Sequence, residues 1–121
     1  MTIEVKRESG AQYALVKGEG VLVYDVQSAL DIMMTVHYES GLSRMAIRKE
    51  ALAEDFFILS TRFAGEVLQK FVNYRMKLAV IGDFSKYTSK PLRDFIYESN
   101  KGNAVFFVSS EDEAAKMLSG V

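Results

Sequence analysis

The residues best suited to chemistry are polar side chains set just beyond apolar runs: Glu54, Asp55, Ser60 and Thr61, then Asp83, Ser85, Lys86, Thr88 and Ser89. Carboxylates, hydroxyls and a lysine are the types from which an acid/base pair or a phosphoryl-transfer pocket is assembled. Glu54, Thr61, Asp83 and Ser85 are the leading candidates for that role. Arg62 adds a full positive charge beside Ser60 and Thr61, at a predicted helix start, where free amides attract anions. Capping alone also selects hydroxyls and acids at such places, because they satisfy the unpaired amides of a first turn. Glu54, Asp55 and Asp83 have no diagnostic metal-ligand spacing, so neither a metal nor a cofactor is expected. Cysteine is absent and His37 is the single histidine. Disulfides, thiolate ligands, cysteine nucleophiles and sites needing two imidazoles are thereby excluded. His37 falls near a predicted helix end, where a positive charge is favoured, and is read as structural.

Asp83 closes an apolar strand, as phospho-accepting aspartates do. A receiver-type site also needs an acidic pair after the first strand and a lysine after the last. Here Asp25 is alone and Ser109-Ser110 follows Val108, so that site is excluded. Neither GxGxxG nor a P-loop occurs, and Gly18-Glu19-Gly20 reads as a turn. The 15 basic and 16 acidic residues leave a net charge of -1, with no block of like charge. Nucleic acid and polybasic membrane contacts are therefore not expected. Apolar runs such as Ala104 to Val108 are far too short to span a bilayer. Met1 to Glu8 alternate and carry charge, unlike a signal peptide, so a cytoplasmic location is expected. The 121 residues, 49% apolar, fit one domain with its own core.

The elements that must position these residues follow from periodicity. Ile3, Val5 and Arg7 alternate with Glu4, Lys6 and Glu8, a strand period, and Tyr13 to Val16 supplies a second strand across a Ser9-Gly10 turn. Val21 to Tyr24 is either a short strand or a buried approach to a helix. Asp25 caps a helix to about Glu39, with Val26, Ala29, Leu30, Met33, Met34 and His37 on one side and Gly41 ending it. Met45 to Ile47 is a strand, and Glu50 to Leu59 an irregular or single-turn connection. Ser60 or Thr61 is predicted to cap a helix to Tyr74, with Phe63, Ala64, Val67, Leu68, Phe71 and Val72 as its apolar stripe. Lys77 to Ile81 is nearly all apolar, as in a central strand covered on both faces. Pro91 opens a third helix, with Leu92, Phe95 and Ile96 inward and Gly102 at its end. Ala104 to Val108 is the last strand, and Ser110 with Glu113 forms a capping box for a final helix. The order β-β-α-β-α-β-α-β-α predicts an α/β fold: one mixed sheet covered by helices, with right-handed crossovers and an antiparallel hairpin at the edge.

Met33-Met34 and Phe56-Phe57 are read as core. Glu66, Gln69, Lys70 and Asn73 fall opposite the apolar stripe of the second helix. That face is richer in amides than solvation requires, which makes it a candidate self-association face for a homodimer. Gly65 within this helix costs about 1 kcal/mol relative to alanine, so a close neighbour is expected there.

Phe56-Phe57, Leu59, Thr61, Ala64-Gly65-Glu66, Gln69-Lys70-Phe71 and Asn73-Tyr74 form one pattern. Gly82-Asp83, Ser85, Arg93-Asp94-Phe95, Glu98-Ser99-Asn100 and Gly102 continue it. From about Val21 to Val108 the chain resembles the small bacterial family catalogued as domain of unknown function 4180. It departs from that pattern at Arg62, where glycine commonly follows the threonine. The resemblance implies a bacterial cytoplasmic protein and carries no established activity. At the level of fold alone, the element order also resembles the sulfate-transporter and anti-sigma-factor antagonist (STAS) class. That resemblance implies a phosphorylatable serine at the start of the second helix, the place of Ser60 and Thr61, although the surrounding Asp-Ser-Ser-Gly type of motif is missing. The function expected from these residues is a non-enzymatic regulatory or protein-interaction module. The alternative is a small-ligand-binding protein or enzyme using the polar edge.

Overall fold

The two alternating segments at the start of the chain pair as a hairpin, β1 (Thr2–Glu8) with β2 (Ala11–Lys17), antiparallel and in register from Thr2 opposite Lys17 to Glu8 opposite Ala11. The computed structural model describes residues 1–8 and 10–119. Ser9 of the expected turn lies outside the described residues, and Gly10 takes a left-handed φ of 78°. The remaining elements are α1 (Val26–Ser40), β3 (Arg44–Arg48), α2 (Phe63–Asn73), β4 (Lys77–Ile81), α3 (Lys90–Lys101), β5 (Val105–Val108) and α4 (Glu111–Ser119). The sheet order is β1-β2-β3-β4-β5, with every pair after the hairpin parallel. The expected mixed α/β sheet is thus the observed one.

Each crossover from β2 onward steps to the next strand in the same direction. Right-handed crossovers that never reverse must all lie on one face. Accordingly α1, α2 and α3 share a core with Ala14, Val16, Met45, Ile47, Leu78, Val80, Val105 and Phe107. The alternate strand residues Tyr13, Leu15, Ala46, Ala79, Ile81, Phe106 and Val108 meet Ala114, Ala115 and Leu118 of α4 on the other face. β4 sits between β3 and β5 with Leu78 to Ile81 buried. That burial is why its sequence is continuously apolar rather than alternating.

Several local expectations are corrected. α1 buries Ala29, Ile32, Met33 and Val36, while Met34 and His37 face solvent. The i, i+3, i+4, i+7 stripe from Ala29 to Val36 is complete, and it outcompetes the scattered apolar residues beside it. Asp25 does cap α1: the Ser28 amide donates to its carboxylate at 2.7 Å, and Ser28 Oγ accepts the Asp25 amide at 3.1 Å. Neither Ser60 nor Thr61 is the cap of α2. The cap is Arg62, left-handed at φ 66° and making no side-chain capping bond. Val72 is 48% exposed, outside the α2 core stripe. A Cβ built on Gly65 meets nothing within 4 Å, so the close neighbour expected there is not supplied by the described residues. At α4, Ser110 Oγ accepts the Glu113 amide, but Glu113 reaches back to the Ser109 amide rather than to that of Ser110. The stretch between β3 and α2 is three short 3-10 turns, at Lys49–Ala51, Glu54–Phe57 and Leu59–Thr61. Val21 to Tyr24 is neither a strand nor a buried approach: Val23 is buried and forms an isolated bridge with Leu52, while Val21 and Tyr24 are exposed. Among the described residues no helix is long and apolar enough to cross a membrane.

Candidate functional site

The carboxyl ends of β2, β3, β4 and β5 gather at one edge of the sheet. The chain leaving β4 turns toward the three-helix face and the chain leaving β5 toward the α4 face. Such divergence opens a crevice between neighbouring strands, the place where α/β sheets receive ligands. A depression of about 440 Å³ lies there, bordered by Gly82, Asp83, Phe84, Ser109 and Glu113. A second, of about 400 Å³, lies at the ends of β2 and β3 beside Gly18 and Gly20. Arg48 and Glu50 border both, so the two depressions are neighbours along the edge.

Beside the crevice the 3-10 turns after β3 pack on the loop after β4. The Tyr87 ring stacks on Phe57, with centroids 4.9 Å apart and planes 19° from parallel. Lys49 Nζ and Lys86 Nζ lie 5.2 and 5.3 Å from the Tyr87 centroid, within cation–π range. The Tyr87 hydroxyl donates to Glu54 Oε1 at 3.1 Å. Burial, then the Glu54 carboxylate and more weakly that of Glu50, push the phenol up to about 12. It is therefore a neutral donor at ordinary pH. Asp83 accepts the Ser85 amide at 2.9 Å. The Ser85 hydroxyl and amide, with Lys49 and Lys86 farther off, hold its carboxyl below the usual aspartate value. A Cβ built on Gly82 falls 2.7 Å from Lys49 Cβ, so only glycine lets β4 end this close to the Lys49 stem.

On the opposite side of the edge Arg48 donates to Glu111 at 2.9 Å, and Lys6 lies 3.4 Å from the same carboxylate. This pairing ties the end of β3 and the interior of β1 to the start of α4.

The structure thus brings Glu54, Asp83 and Ser85 into one loop cluster, with Tyr87 linking the two segments. Thr61 is used differently. Its hydroxyl donates to the Ile58 and Asp55 carbonyls, at 2.8 and 2.9 Å, and accepts the Phe63 amide at 3.2 Å. It closes the last 3-10 turn onto α2. Ser60 and Arg62 are exposed. On α2 the Gln69 amide donates to Asn73 at 2.9 Å, one turn apart, so part of the amide-rich face bonds to itself. The sequence reading missed Arg48, Lys49, Glu50 and Tyr87. A charged run directly after the apolar core of β3 is the signal that marks the first three. Among the described residues no group of three or more acidic or histidine side chains is placed to hold a metal ion.

Compared with known proteins, residues 8–118 match the family described as Domain of unknown function (DUF4180). No curated protein and no solved structure matches the chain. That match takes in β2 to β5, the four helices up to Leu118 and every loop of the carboxyl edge, but only Glu8 of the edge strand β1, and the chain belongs to this family of unknown function.

Proposed function

We propose that the chain is a non-enzymatic protein-interaction module of the bacterial cytoplasm, acting as a homodimer and receiving a further protein partner on the carboxyl edge of its sheet. The observation that carries this reading is how the edge uses its ionisable groups. Glu54 holds Tyr87, Asp83 holds the turn at Ser85, and Arg48 holds Glu111. These bonds shape a surface of interleaved charge with the half-buried Tyr87 ring, backed by the buried Phe57, at its centre. Aromatic anchors within a polar rim are what protein interfaces use. The bacterial and cytoplasmic parts of the proposal rest on the family resemblance.

A small ligand in the crevice beside Asp83, Ser109 and Glu113 is the second reading, favoured by the divergence of the chain after β4 and β5. Two parallel measurements separate them. Partner capture should fall for Lys86→Glu and for Tyr87→Ala, yet persist for Gln69→Glu on a distant helix face. A thermal-shift screen of metabolites should give no stabilisation that Asp83→Asn abolishes. Stabilisation of that kind, with capture unaffected by Lys86→Glu, would replace the first reading by the second.

A further inference from the structure

The two edges of the sheet differ. β5 is buried at Val105, Phe106, Phe107 and Val108, and the Asn100 side chain bonds the outward backbone of Phe107. β1 is seven residues long and lies at the opposite end of the strand order, with no strand beyond it among the described residues. Thr2, Glu4, Val5 and Arg7 are exposed, Val5 by 50%. A long edge strand carrying a row of unpaired amides and carbonyls is a template for another strand.

The sequence of β1 says which strand fits. Partners in an antiparallel ladder share a face, so two copies of β1 about a two-fold axis can pair only residues of like parity. With the axis at Glu4, glutamate meets glutamate. With the axis at Lys6, lysine meets lysine and Glu4 meets Glu8. With the axis at Val5, each Glu4 faces Lys6 of its mate, Val5 faces Val5, Ile3 faces Arg7 and Thr2 faces Glu8. Val5 is also the midpoint of Thr2–Glu8, so this register alone pairs the strand along its whole length. Overlap and charge complementarity therefore select the same register, while the two neighbouring registers set like charges opposite each other, which is destabilising. Val5 lies opposite Ala14, on the three-helix face, whereas Glu4 and Lys6 lie opposite Leu15 and Tyr13, on the α4 face. The pairing would cover the exposed valine on one face and join the Glu4, Lys6, Lys17 and Glu111 charges across the other.

We infer that β1 pairs antiparallel with β1 of a second copy of this chain about a two-fold axis through Val5, joining the two five-stranded sheets into one. The inference rests on the homodimer part of the reading above and relocates its contact from the α2 face to the sheet edge. The chain has no cysteine, so Val5→Cys introduces a single thiol. On the axis, facing Cα atoms stand about 4.5–5.5 Å apart, inside disulfide range. Thr2→Cys is the control, since its symmetry mate lies roughly 20 Å away along the paired strands. The wild-type chain should sediment as a dimer at tens of micromolar, and Val5→Cys should oxidise to a covalent dimer at least about tenfold faster than Thr2→Cys. Glu4→Lys and Lys6→Glu should each weaken the dimer by about tenfold, and the double exchange, which again sets opposite charges across the axis, should be tighter than either single variant. A monomer at these concentrations overturns both the homodimer and this contact. A wild-type dimer in which Val5→Cys links no faster than Thr2→Cys, or in which the double exchange is no tighter than the single variants, overturns the contact alone.

Discussion

The side-chain amide of Asn100 closes on both backbone groups of Phe107: it accepts the Phe107 amide at 2.7 Å and donates to the Phe107 carbonyl at 3.2 Å. An asparagine amide carries a carbonyl and an N–H in the same plane, so it can imitate one residue of a neighbouring strand. β5 is an edge strand, and the last turn of α3 thereby supplies the pairing that a sixth strand would have made. Asn100→Ala leaves a buried donor and acceptor without partners. The expected loss is about 1–3 kcal/mol of unfolding free energy, with a greater tendency to aggregate through the opened edge. Urea denaturation of the variant checks it, and a midpoint within error of wild type would contradict this account.

Gly82 and Lys49 set how closely β4 approaches the turn after β3. Because a Cβ on residue 82 would stand 2.7 Å from Lys49 Cβ, Gly82→Ala must push the two segments apart. Overpacking of this kind costs about 1–3 kcal/mol. The expected signature is specific: Lys49→Gly removes the opposing Cβ, so the Gly82→Ala, Lys49→Gly pair should lose less stability than the two single losses added together. Chemical denaturation of the four proteins in the cycle measures that coupling, and strict additivity would remove the contact as the cause.

Much of the sheet was legible because its signals are local. Leu78 to Ile81 read as a central strand from apolarity alone, and it is buried between β3 and β5. Its amides should exchange with solvent more slowly than those of β1, measured residue by residue by hydrogen exchange. The face of α1 was not fully legible, since Met34 is as apolar as Met33 beside it, and only the sheet decides between them. The cluster around Tyr87 was hidden for another reason. Its partners Lys49, Glu54 and Phe57 come from the preceding crossover, and no spacing within one segment announces a contact between two.

Arg62 hides the start of α2 from a reading of the sequence. Its φ of 66° is one that glycine adopts freely and a residue with a Cβ adopts at a cost of about 1–2 kcal/mol. Glycine at this position would have marked the helix start; arginine points instead to the Ser60 and Thr61 hydroxyls before it. Arg62→Gly is expected to stabilise the fold by up to about 1 kcal/mol, the relief of strain being partly offset by the freer unfolded chain. Arg62→Val should destabilise it. Thermal denaturation of both variants tests the pair, and a stability order with valine above glycine would refute the strain.

Tyr87 links folding to alkaline pH. Its phenol, ordinarily near 10, is pushed up to about 12 by burial and by the neighbouring Glu54 and Glu50 carboxylates. In the folded chain the proton is kept where the unfolded chain has lost it, so between these two values the native state binds more protons. Stability supplied by this group is therefore complete below pH 10 and falls as pH rises toward 12. Ultraviolet titration of the folded chain should therefore show a late phenol step that unfolding brings forward. Tyr87→Phe should delete part of the late step and flatten the loss of stability above pH 10. Glu54→Gln should move the step to lower pH, because the phenolate would no longer form against a carboxylate. A late step unchanged in both variants would mean that the Tyr87–Glu54 bond does not hold the two loops together in solution.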